Sequence, residues 1–65
     1  MNKEKAMRWV VEIRYETMSG NPEVKRYKVK ATTETSAMYI AQRKLECLKS
    51  YKKTYGGDAR LVEDN

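Results

Sequence analysis

The sequence predicts an α+β fold: a two-layer ββαβ domain in which a three-stranded, mainly antiparallel sheet carries one helix on one face. Three observations lead there. Residues 8–18 and 24–31 alternate apolar and polar side chains with period two, "SGNPE" separates them, and the period lengthens to that of a helix after Thr33.

In "RWVVEIRYETM", Trp9, Val11, Ile13, Tyr15 and Thr17 alternate with Arg8, Val10, Glu12, Arg14 and Glu16, the mark of a half-buried strand. Gly20 and the Asn21-Pro22 pair then break regular structure and predict a loop somewhat longer than a tight hairpin turn. In the second strand Tyr27, Val29 and Ala31 face one way, while Val24, Arg26, Lys28 and Lys30 face the other.

The helix is predicted to start at an N-cap on Thr33, with Glu34 in its first turn, and to run to a stop at Gly56-Gly57. At 100° per residue, Ala37, Ile40, Ala41, Leu45, Leu48 and Tyr51 form its apolar stripe, with Lys44 at the edge. Tyr39, Gln42, Arg43, Glu46, Ser50 and Lys53 fall opposite. "DARLVED" supplies a short third strand with Leu61 inward and Arg60 and Val62 outward. The order β2-β1-β3 makes each neighbouring pair antiparallel.

One helix covers one sheet face only, so the other is predicted to be bare and to gather Arg8, Val10, Glu12, Arg14, Val24, Arg26, Lys28, Lys30, Arg60 and Val62. The charge pattern agrees. The chain has 14 basic and 9 acidic residues and a net charge of +5. Residues 24–53 concentrate the excess, with Lys25, Arg26, Lys28, Lys30, Arg43, Lys44, Lys49, Lys52 and Lys53 against Glu34 and Glu46. Segregated positive charge favours a polyanion or an acidic protein face as partner. The partner-binding surface read from this pattern is Arg14, Arg26, Lys28, Lys30 and Arg60. A second patch combines Tyr39, Arg43, Lys49 and Lys53. Tyr27 belongs with the inward set, while Tyr39 and Tyr55 are the freer aromatics.

Composition argues against catalysis. The chain has no histidine and one cysteine, and no paired-acid motif, phosphate loop or metal-ligand cluster appears. Cys47 reads as a small packing residue beside the helix stripe. No cofactor is expected. The charged start, "MNKEKAMR", reads against a secretory leader, and no apolar run approaches the roughly 20 residues that span a bilayer. With a single cysteine, a reducing cytoplasmic setting fits best. At 65 residues the chain is one small domain, monomeric or weakly dimeric. The order of residues 1 to 6 is left open.

Around "KATTETSAMYIAQ", residues 30–42, the chain resembles small phage-encoded host-takeover proteins of two kinds, a coliphage inhibitor of bacterial RNA polymerase and an anti-CRISPR inhibitor of Cascade-like complexes. Ala31, Thr33, Ala37 and Ala41 carry the likeness. It implies a non-enzymatic protein, from a phage or mobile element, that inhibits a host nucleic-acid machine by occupying a functional surface. Of the arginines on the last strand of the polymerase inhibitor, Arg60 is matched, and Val62 stands where a second would fall. "RWVVEIRYET" together with "KRYKVKATTETSAMYIAQRKL" is also similar to the sheet-plus-helix DNA-binding arms of phage integrases, which implies direct binding of DNA or RNA through the same strand residues. That family builds three strands before its helix, whereas two precede it here.

Overall fold

A computed structural model describes residues 6–62. Residues 1–5 lie outside the described residues, and with them most of the segment whose order the sequence leaves open. The elements run β1 (Met7–Thr17), β2 (Pro22–Ala31), α1 (Glu34–Glu46) and β3 (Tyr51–Leu61). The sheet order is β2-β1-β3, with both pairings of β1 antiparallel. The ββαβ arrangement is therefore the one the periodicity predicts.

β1 is central because its odd-numbered side chains build one side of the core. Trp9, Val11, Ile13 and Tyr15 are buried, and they meet Val29 and Ala31 of β2 and Ala37, Ala41 and Leu45 of α1. The small Ala37 and Ala41 let the helix settle closely on the sheet, while Leu45 fills the space beyond them. The indole Nε1 of Trp9 donates to the carbonyl oxygen of Ala31 at 2.9 Å, so the one polar atom of this ring is satisfied inside the core. Between β1 and β2 the chain reverses through Gly20, whose φ of +89° suits a residue without Cβ. Its amide donates to the Thr17 carbonyl, and the Asn21 amide donates to the Thr17 hydroxyl.

Thr33 caps the helix as expected, its hydroxyl accepting from the Ser36 amide at 3.1 Å. The other end departs from expectation. α1 stops at Glu46, with Cys47 as the C-cap, and residues 51–61 form an eleven-residue strand in place of a helical tail and a short strand. Leu48 and Tyr51 misled the helical count because both do pack against the core, Leu48 from the turn and Tyr51 from the start of β3. The Tyr51 ring lies 6.1 Å from that of Tyr15. Ser50 and Lys53 therefore leave the helix altogether. Gln42, expected on the far side, reaches β3: it donates to the Tyr51 hydroxyl and accepts from the Thr54 hydroxyl. Cys47 is exposed rather than packed.

Gly56 and Gly57 do not stop a helix; they lie inside β3. A Cβ on Gly57 would stand 2.9 Å from the Glu12 carbonyl oxygen and 3.3 Å from the Met38 methyl, so the bare backbone is what lets β3 approach β1 beneath the helix. Two register shifts follow along β3, one opposite Arg14/Tyr15 and one opposite Glu16/Thr17. These irregularities twist that edge strand and blunt it against further pairing.

The thirteen helical residues span about 20 Å at 1.5 Å each, whereas an eleven-residue strand spans about 36 Å at roughly 3.3 Å each. α1 is thus too short to cover β1 from end to end. Leu61, opposite Trp9 on the inward side, is 44% exposed in consequence, a correction to its expected burial.

Candidate functional site

The side of the sheet away from α1 carries no other element among the described residues, and register lays its side chains out in rows across three strands. Lys30 faces Arg8. Lys28 and Arg60 flank Val10 on either side, Arg26 and Asp58 flank Glu12, and Val24 and Gly56 flank Arg14. The five residues expected to form the partner-binding surface, Arg14, Arg26, Lys28, Lys30 and Arg60, all stand on this face and are exposed. Period-two alternation alone carries that outcome, because a one-residue slip would have turned every one of them inward.

The face is nevertheless not uniformly cationic. The Arg26 guanidinium meets Glu12 through two nitrogens, with Nε donating at 3.0 Å and Nη2 at 2.9 Å. Arg14 reaches Asp58 at 3.9 Å, crossing over Gly56, whose missing side chain leaves the path open. Asp58 was absent from the residues the sequence assigned here, because its place depends on the β3 register that the misread helix end concealed. Lys28, Lys30 and Arg60 enter no ion pair among the described residues. The face therefore divides along its length into an end where Arg8, Lys28, Lys30 and Arg60 surround Val10, and a middle where the positive groups already face carboxylates.

Among the described residues, three shallow hollows follow the same division. The first, of about 410 Å³, is lined by Arg8, Trp9, Val10, Lys28, Val29, Lys30 and Val62. A second, of about 230 Å³, lies between Glu12, Arg26, Asp58 and Arg60. A third, of about 290 Å³, is bounded by Arg14, Pro22, Val24 and Tyr55.

Beyond the third hollow, Glu16 organises the far end. The Tyr55 hydroxyl donates to Glu16 Oε1 at 2.6 Å, and the Lys52 ammonium stands 3.7 Å from Glu16 Oε2. The hydrogen bond from the phenol is the main cause that holds the Glu16 carboxyl below its ordinary range; burial opposes it, and Lys52 and Lys53 add to the lowering. The same bond raises the Tyr55 phenol above its usual value, since losing its proton would break the bond and set two anions together. Tyr55 is 57% exposed and Tyr39 62% exposed, so both are the accessible aromatics the sequence suggested.

The second expected patch is divided by the fold. On α1 the Arg43 Nη1 donates to the Tyr39 hydroxyl at 2.9 Å, and the guanidinium carbon lies 5.7 Å from the ring centroid. The hydrogen bond to Tyr39 is the main cause that raises Arg43 above its ordinary value. Lys49 is exposed in the turn after the helix. Lys53 belongs to β3, opposite Glu16 and over the ring of Tyr55, on the sheet side of the molecule. Tyr39, Arg43, Lys49 and Lys53 do not form one surface.

Among the described residues no group of three or more acidic or cysteine side chains is gathered as a metal site would need. No helix among those residues is long and apolar enough to cross a membrane. The face offers fixed positive charge, a few valine side chains and two internal ion pairs, Arg26 with Glu12 and Arg14 with Asp58. Comparison with protein-family models, with curated proteins and with solved structures finds no match to this chain.

Proposed function

We propose that this chain is a non-catalytic binding protein whose bare sheet face docks on an acidic surface of a protein complex that handles nucleic acid, inhibiting it by occupation. The observation that carries the reading is the mixed charge of the face. Glu12 and Asp58 sit side by side on β1 and β3 at its centre, between the cationic end and Arg14. A nucleic-acid backbone laid along the sheet would bring its phosphates against those two carboxylates, whereas a mainly acidic protein surface can turn a neutral or basic side chain toward them. The likeness to phage host-takeover inhibitors adds the setting: a protein of a phage or mobile element, acting in the bacterial cytoplasm, with a CRISPR effector or RNA polymerase as the kind of target. Direct binding of DNA or RNA by the same residues is the rival reading.

The test is capture from bacterial lysate with the tagged protein, with and without nuclease, beside a variant carrying Arg26→Gln, Lys28→Gln and Lys30→Gln. A protein partner retained after nuclease at fixed stoichiometry, and lost by the triple variant, is the expected result. Disappearance of every partner after nuclease would move the assignment to nucleic acid, and retention by the triple variant would remove the sheet face from it.

A further inference from the structure

We infer that the partner is engaged at one end of the bare face by an acidic segment that places an aliphatic or aromatic side chain over Val10 and Val62, while its neighbouring carboxylates meet Lys28, Lys30 and Arg60. The inference rests on the protein-partner reading above and goes further by naming the recognised chemistry and the subsite.

Three observations converge. The first is the distribution of unsatisfied charge. Arg26 spends its guanidinium on Glu12 and Arg14 reaches Asp58, but Lys28, Lys30 and Arg60 enter no ion pair among the described residues. Lys28 and Arg60 stand directly across from Val10 on the two outer strands, so an acidic chain crossing this row meets one cation on each side of an apolar centre. The second is shape. The largest of the three hollows lies here, and at about 410 Å³ it is near the small end of the roughly 300–1,000 Å³ typical of ligand pockets, room for one or two side chains. The third is its apolar content. Val10 and Val62 stand with Trp9 and Val29 in the lining of a hollow that Arg8, Lys28 and Lys30 also border, and a chain of phosphates gains nothing from apolar groups. Charge complementarity selects the carboxylates, and the valines select the side chain between them.

Fluorescence anisotropy with labelled probes tests this: a synthetic peptide of alternating Glu and Leu, a poly-Glu peptide of equal charge, and an oligothymidylate of similar length. The Glu/Leu peptide is expected to bind about tenfold more tightly than poly-Glu, the ratio that burial of one leucine side chain supports. Val10→Thr, which keeps the shape and strand preference of valine, should bring that ratio close to one. Lys28→Gln with Lys30→Gln, and separately Arg60→Gln, should weaken both peptides about tenfold or more, while the charge-matched control Lys25→Gln with Lys44→Gln changes them by less than about twofold. Circular dichroism and urea midpoints verify that each variant is folded. Peptide binding that responds equally to the control pair, or a Glu/Leu preference that survives Val10→Thr, overturns the subsite and leaves the protein-partner reading standing. Tighter binding of the oligothymidylate than of either peptide overturns both. No binding of any probe overturns the subsite alone.

Discussion

At the scale of single residues, the interior and the periphery each hold one atom whose environment sets an expectation. The Tyr27 hydroxyl is buried without a hydrogen-bond partner among the described residues, and burial raises its phenol above the usual value. The ring belongs to the inward set, as alternation predicted, but the oxygen loses its water without compensation. Tyr27→Phe is therefore expected to leave the protein as stable as the wild type or about 1 kcal/mol more stable, read from urea midpoints; a loss of more than about 1 kcal/mol would mean that the hydroxyl has a partner. Glu16 is the opposite case, a carboxylate supported by the Tyr55 phenol and two lysines. Because its folded-state pKa lies below the ordinary 4.5, the stability it contributes is fully present above that value and is lost as pH falls through the depressed folded value. Tyr55→Phe removes the largest cause. The Glu16 carboxyl, followed by NMR, should then titrate closer to 4.5, and the variant should differ from wild type at pH 7 while converging with it in strong acid. An unchanged Glu16 titration would show that the lysines alone account for the shift.

At the scale of elements, the strands were legible in the sequence to the extent that one face of each is buried. β1 buries every second side chain from Trp9 to Thr17, so its period is unambiguous, and it hands that register to β2 along ten residue pairs. The bare face and its five assigned cations follow from those two strands and Arg60. The end of α1 was not legible because Leu48 and Tyr51 satisfy the helical stripe and the turn-plus-strand alternative equally well, and tertiary pairing with β1 decides between them. With that boundary went the meaning of Gly56-Gly57 and the position of Asp58. The two glycines give the fold a sharp test. Alanine at 57 drives a Cβ toward the Glu12 carbonyl, which cannot retreat without parting β1 from β3, and is expected to cost about 1–3 kcal/mol. Alanine at 56 meets only the far end of the flexible Arg14 side chain at 3.1 Å and should cost less than about 1 kcal/mol. Equal urea midpoints for the two variants would contradict the close approach of β3 at Gly57.

At the scale of the whole molecule, the layout of charge sets stability against binding. Lys30 stands directly across the strand pair from Arg8, and Lys28 and Arg60 close in on Val10 in the next row. Like charges opposed across a sheet are destabilising, by roughly 0.2–1 kcal/mol per pair. Among the described residues Lys28, Lys30 and Arg60 enter no ion pair, whereas Glu12 and Asp58 relieve the arginines of the middle. Replacing Lys28 and Lys30 together by Gln is therefore expected to hold the stability of the free protein or raise it by up to about 1 kcal/mol at low salt, even as the acidic probes are lost. Salt separates this from a change in packing. The gain should shrink as ionic strength passes about 0.15 M, where the screening length falls to roughly 8 Å. Urea midpoints at two salt concentrations measure it. A double variant less stable than wild type at low salt would mean that the lysine stems support the sheet by packing over Val10, and the cationic end would then be explained by the fold itself.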